Sequence, residues 1–248
     1  MTRLALLGLS MLFCNSLQAQ GGPPMATDDP GTPGNGHWEI NLAALGTHVR
    51  DGWDVDVPEA DINYGLGDHI QLNLDVPWTF TNTAADGHWR SGIGDASVGV
   101  KWRFVDRDDS HPVELSTYPR YQTSLSTHSE RIGVASPDKE FFLPLELATQ
   151  VQEFEFAADV GRHFVEHDGS FWSAGVVAGH SCGTEKVECL AEIHREWRPG
   201  DAQTLLNFGL HWKLTDALTF LGAVGREFGG SSDEQRRAVI YLGVQVSR

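Results

Sequence analysis

The chain has 248 residues, 40 % of them apolar, and a formal net charge of −16 at pH 7. That acidity argues against nucleic acid as a partner, because phosphate backbones are bound through an excess of lysine and arginine. The length suits one or two ordinary domains or a single barrel; the even spread of 27 Gly, 8 Trp and 12 Phe, with no Pro/Ser-rich linker, favours the barrel.

Residues 1–19 read as a cleavable export signal. Arg3 supplies the positive start, Leu4 to Phe13 the apolar stretch and Leu17-Gln18-Ala19 a small-residue cleavage site. The bulky Phe13 ahead of Cys14 is a poor lipid-attachment context. The apolar run is also shorter than the roughly 20 residues of a spanning helix, so membrane insertion has to come from strands. Residues 20–36, rich in Gly and Pro, read as a flexible periplasmic lead-in, and 37–248 as the barrel.

From Trp38 onward the dominant signal is a period of two. Trp38, Ile40, Leu42 and Ala44 oppose Glu39, Asn41 and Ala43; Ala60, Ile62 and Tyr64 oppose Glu59, Asp61 and Asn63. Ile70, Leu72, Leu74, Val76 and Trp78 oppose Gln71, Asn73 and Asp75, and Val98, Val100, Trp102 and Phe104 oppose Ser97, Lys101 and Arg103. Looser segments follow at Val113 to Gln122, Glu140 to Gln152, Phe154 to Phe164, Phe171 to His180, Val187 to Glu196, Thr204 to Lys213, Leu218 to Glu227 and Arg237 to Val246. The expected fold is all-β: a single antiparallel up-and-down transmembrane β-barrel of about 12 strands.

Connections after even-numbered strands are tight, as at Gln152-Glu153 and Thr215-Asp216, while those after odd strands are expected to be longer: Thr81 to Gly94, Leu125 to Lys139, Trp197 to Ala202 and Gly229 to Arg236. A soluble barrel or sandwich shares the alternation with its apolar face turned inward. The aromatics decide for the membrane. Trp38, Tyr64, Trp102, Phe154, Trp212 and Phe220 fall near one end, and Trp78, Phe141 and Trp172 near the other, as two interfacial girdles require.

The segments Asp29-Pro30-Gly31-Thr32-Pro33-Gly34, Asn63-Tyr64-Gly65-Leu66-Gly67-Asp68, Val98-Gly99-Val100-Lys101-Trp102-Arg103-Phe104 and Phe141-Phe142-Leu143-Pro144 resemble the bacterial outer-membrane family labelled as phenol-degradation (meta-pathway) or transporter β-barrel proteins; Leu190-Ala191-Glu192-Ile193-His194 and Asn207-Phe208-Gly209 extend the likeness. The resemblance implies a closed barrel passing aromatic or other hydrophobic small molecules. It implies no catalytic motif.

With the apolar set meeting lipid, the inward face receives Glu59, Asp61, Asp75, Lys101, Arg103, Arg120, Glu146, Glu192, His194 and Lys213, a lining that needs water or paired partners. Two readings fit it: a selectivity lining with mild cation preference, or an ion-pair and hydrogen-bond network that holds the strands together. Cys182 and Cys189 flank a short turn and are expected to form a disulfide, with independent thiols as the alternative. Ser173, His180, His194 and Glu196 supply hydrolase residue types, but no Gly-x-Ser-x-Gly elbow occurs, and His163, His167 and His180 lack ligand spacing. No enzyme activity, cofactor or metal is therefore expected. Three functional classes remain: a passive channel or uptake protein for small solutes, a structural or surface-interaction barrel with a plugged lumen, and a barrel-type lipid-modifying enzyme.

Overall fold

A computed structural model describes residues 21–83, 87–167, 169–230 and 235–248; the expected signal, 1–19, lies outside the described residues. The elements in chain order are β1 (Trp38–Val49), β2 (Gly52–Leu66), β3 (Ile70–Thr83), β4 (Arg90–Ile93), β5 (Asp95–Val105), β6 (Val113–Thr117), β7 (Arg120–Ser124), the short helix α1 (Thr127–Arg131), β8 (Glu140–Val151), β9 (Phe154–Val165), β10 (Phe171–Ser181), β11 (Val187–Arg198), β12 (Asp201–Lys213), β13 (Leu218–Phe228) and β14 (Ala238–Ser247).

Two breaks reconcile this order with a closed barrel of 12 strands. β4 and β5 both pair with β3 and form one stave, bent at Gly94, whose N–H reaches the Pro77 carbonyl. β6 and β7 both pair with β5 and β8 and form another, interrupted at Tyr118-Pro119, where proline has no N–H to give the ladder. Every pairing is antiparallel between neighbours, and β1 closes on β14 from Glu39↔Ser247 to His48↔Ala238. The β1–β14 ladder joins the first and last staves and so closes the sheet.

The alternation orients the wall as expected. Leu72, Leu74, Val98, Val100, Leu143, Leu145, Ile193, Phe208, Val224 and Leu242 are exposed on the outside, while Asn41, Asn73, Lys101, Glu146, Asp159, Glu192 and Asn207 are buried inside. Trp38, Trp102, Phe154 and Trp212 are exposed at the short-turn end, with Tyr64 packed on Trp38; Trp78, Phe141 and Trp172 are exposed at the opposite end. This apolar belt between aromatic rims suits a hydrocarbon slab.

One connection differs from its expected length. The pairing of β11 with β12 continues to Arg198↔Asp201, so only Pro199 and Gly200 join them. Gly200 sits at φ +79°, a left-handed turn position that glycine takes without strain. The long connection after β7 is present, and it folds inward: Ser129 of α1 is buried against Gly92, Arg90 donates to the Ile132 carbonyl at 2.9 Å, and the Ser136 N–H reaches the Asp95 carboxyl at 3.0 Å.

Candidate functional site

The lumen is filled from below by residues 21–36. This segment, expected to be a flexible periplasmic lead-in, instead enters the barrel at the short-turn end and packs against the inner wall. Its Gly/Pro content suits a chain that must fold on itself in a confined space: the Gly22 N–H reaches the Thr27 carbonyl and the Met25 N–H the Gly22 carbonyl, each at 2.7 Å. The rim holds its lower part, with Gly36 N–H on the Gly65 carbonyl at 2.9 Å and the Thr32 hydroxyl on the Asp68 carbonyl at 2.9 Å.

Deeper in, the wall meets the plug group by group. The Glu192 carboxylate accepts the Thr27 N–H at 2.6 Å and the Ala26 N–H at 3.2 Å, and also takes Asn207 Nδ2 at 3.1 Å. Asp159 accepts the Asp28 N–H at 3.3 Å. Met25 completes an apolar cluster with Ala157, Val177 and Leu190. Gly175 and Gly209 make room for this fit, because a Cβ on either would overlap the Thr27 hydroxyl or the Met25 methyl.

The charged centre is Lys101. Its Nζ lies 2.9 Å from Asp28 Oδ1 and 3.7 Å from Glu146 Oε2, and it also donates to the Asp29 carbonyl. Ser116 holds Glu146 at 2.5 Å, and Arg120 stands 3.8 Å from the other Asp28 oxygen. Tyr118 presents its ring to both cations, each 4.8 Å from its centroid. Burial pushes the Asp28 carboxyl up, but Lys101 and Arg120 outweigh it and leave the group below the usual carboxylate value. For neighbouring Asp29, burial prevails over Lys101 and raises the pKa to about 6.

The long-loop half is organised differently. His163 Nδ1 lies 2.6 Å from Glu140 and Nε2 2.9 Å from the Ser173 hydroxyl. Its ring is sandwiched between Phe142 and Phe171, centroids 4.0 and 4.2 Å away, and Arg198 covers the far face of Phe171 at 3.7 Å. This order of carboxylate, imidazole and hydroxyl matches that of a nucleophilic triad. Ser173 is 1 % exposed, however, and points into the barrel, away from the lipid boundary where a lipid hydrolase would act. The chain of bonds fixes the imidazole. Above it, Glu196, Arg198, Glu227 and Arg236 are joined by ion pairs of 2.5 to 3.5 Å.

Of the residues expected to line the lumen, Lys101, Arg120 and Glu146 meet in one cluster, while Glu59, Asp61 and Asp75 share the facing wall of a cavity. Glu192 holds the plug, and His194 is buried beside Gly175. Arg103 and Lys213 stand at the short-turn rim: Arg103 pairs with Asp106 at 2.8 Å and Lys213 with Asp216 at 3.3 Å. His69 and Arg103 together hold the Asp106 carboxyl below its ordinary pKa. Cys182 and Cys189 are joined by a disulfide across their turn, Cα atoms 5.8 Å apart. The residues that alternation did not reveal are Thr27, Asp28 and Asp29, which lie in no strand. The adjacent Asp28-Asp29 pair, set against the inward Lys101, was the available signal.

Two cavities of about 230 Å³ each lie beside the plug and above it. The lower lies between the plug and the inner faces of β1, β2, β3, β5 and β14; the upper is bounded by Gln122, Glu140, Phe142 and His163. Ser97 and Arg120 line both, so the two cavities adjoin there.

No family model and no curated protein sequence matches the chain. Solved structures share its fold at low identity. The COG4313 outer membrane channel from Pseudomonas putida F1 superposes with a TM-score of 0.69 at 9 % identity, over 92 % of this chain and 98 % of that one. The KdgM porin in complex with disordered oligogalacturonate gives 0.60 at 10 % identity, over 84 % and 98 %, and the NanC porin 0.56 at 9 %, over 84 % and 98 %. The architecture is thus that of bacterial outer-membrane β-barrels.

Proposed function

We propose that this chain is a passive outer-membrane channel for small solutes, exported by its signal segment, with the short-turn end in the periplasm and the long-loop end outside. The observation that carries the reading is the pair of cavities that adjoin at Ser97 and Arg120, which this reading joins into a route past the plug along one side of the lumen. The exposed apolar belt supports the membrane location, and the porins and channels of like fold support passive passage. The route runs over carboxylates, amides and Arg120, walls that suit small polar or cationic solutes better than the aromatic cargo the resemblance implies. They also suit them better than an acidic sugar chain such as the oligogalacturonate held by the KdgM porin.

A second reading has its own support. The hydrogen bonds from Glu192, Asp159, Lys101 and the rim to the plug suit a barrel closed by its N-terminal segment, with a structural or surface role. Planar-bilayer recording of the mature protein separates the two. Discrete conductance steps with a cation-selective reversal potential, growing when Arg120 is changed to Ala, support the channel; a silent barrel that conducts only after deletion of residues 21–36 supports the second reading.

A further inference from the structure

We propose that the lower cavity is a binding site for an aliphatic di- or polyamine; the proposal rests on the channel reading only for the route of entry. The β2 and β3 wall sets three carboxylates, Glu59, Asp61 and Asp75, among amides, with no cation of its own. Asp61 and Asp75 stand directly opposite each other in the strand register, a like-charge pair that is unfavourable unless something cationic lies between or beside them. Glu59 is two residues from Asp61 on the same inward face, and its Oε2 is buried with no hydrogen-bond partner among the described residues.

Each amide beside these carboxylates already gives a hydrogen bond to a neighbour. Asn41 Nδ2 and Asn63 Nδ2 reach one Asp61 oxygen at 2.9 and 3.1 Å; Asn73 Nδ2 reaches the other at 2.5 Å; Gln71 Nε2 donates to Asn63 Oδ1 at 2.7 Å. At this cavity two buried acceptors remain without a partner among the described residues. Asn41 is 1 % exposed, lines the cavity, and its Oδ1 has no partner among the described residues. A buried acceptor left unsatisfied beside carboxylates asks for a ligand that brings several N–H groups at once.

The cations of the cavity do not meet this need. Lys101 is committed to Asp28, the Asp29 carbonyl and Glu146, and Arg120 approaches Asp28; among the described residues neither forms an ion pair with Glu59, Asp61 or Asp75. A single directly coordinated metal ion does not suit the spacing either, since among the described residues no three His, Cys, Asp or Glu side chains converge closely enough to hold one. A cation with its charge spread over a short chain of ammonium groups reaches carboxylates on two adjacent strands, and a volume of about 230 Å³ has room for it.

The test is isothermal titration of the detergent-solubilised mature protein with 1,4-diaminobutane and, separately, with Mg²⁺, at low ionic strength. The proposal expects saturable diamine binding that weakens at least tenfold in the Glu59→Gln/Asp75→Asn double variant, while Glu185→Gln in an exposed turn leaves it unchanged; retained heat-modifiable migration checks that the variants fold. No diamine binding, equal binding by the double variant, or Mg²⁺ binding without diamine binding each overturns it. Because titration needs no ion flux, diamine binding by a protein silent in bilayers upholds this inference while removing the channel reading, and conductance without diamine binding does the reverse.

Discussion

Lys101 Nζ donates to Asp28 Oδ1 at 2.9 Å, joining a wall strand to a plug residue 73 positions away. Lys101 is 3 % exposed and Glu146, its other carboxylate neighbour, is fully buried. A buried ion pair of this kind is weak evidence of net stabilisation, but removing one partner leaves the others uncompensated. Lys101→Met is therefore expected to destabilise the docked plug by roughly 3–5 kcal/mol, with Asp28→Asn in the same chain recovering part of the loss. Denaturant unfolding of the folded barrel, run as a double-mutant cycle, checks this; additive single effects would show that the two residues are not coupled.

Glu192 accepts from two consecutive plug amides and from Asn207, so one carboxylate organises three donors. Glu192→Ala is expected to loosen the plug without opening the wall and to raise unitary conductance at least twofold. Unchanged conductance together with unchanged protease sensitivity of residues 21–36 would mean that the plug does not depend on it.

Asp29 makes plug docking depend on pH. Its pKa in the folded state is raised to about 6 from 3.8, chiefly by burial, so the ionised form is the penalised one. The penalty is absent below about pH 4, grows as pH rises through 6 and then stays constant, at a size on the order of 3 kcal/mol. Through this group, docking weakens as pH rises from about 4 to about 6. Asp29→Asn keeps the acceptor that holds the Gly31 N–H and should remove this pH dependence, strengthening docking at pH 7.5 and leaving it unchanged at pH 4. Equal pH profiles for the two proteins would refute the assignment.

The Cys182–Cys189 disulfide closes a short loop at the β10–β11 turn. Loop-closure entropy gives such a link about 2 kcal/mol, so the Cys182→Ser/Cys189→Ser protein should fold and unfold at lower denaturant with the rest of the barrel intact. A mass shift of two alkyl groups in unreduced wild-type protein would show that the link is not made in solution.

The wall was readable because a strand repeats every two residues: Val98, Val100, Trp102 and Phe104 outward with Lys101 inward needed only counting. Parity carried even the misjudged connection, since Trp197 faces outward and the ladder of β11 and β12 continues past it. The plug was not readable, for two physical reasons. Its fold has no period, being built from turns that close on themselves, and its partners Asp159, Glu192 and Asn207 lie more than 130 positions along the chain. Composition alone makes such a Gly/Pro segment look unstructured, because the groups that order it come from elsewhere. The Glu140, His163 and Ser173 contact was hidden similarly: each residue was visible as polar and inward, but which three would meet depends on the stagger between adjacent strands.

The open volume of the lumen is lopsided. Together the two cavities are walled by β1, β2, β3, β5, β7, β8, β9, β14 and the plug, whereas on the opposite side Val177 and Leu190 pack on Met25 and the side chains of Glu188, Glu192, His194 and Asn207 are buried. The cylinder therefore works as a half-pipe, with a close-packed buttress along one flank and an open gutter along the other. Enlarging or shrinking side chains on the buttress should alter how firmly the molecule holds together, while the same changes in the gutter should alter what travels through it.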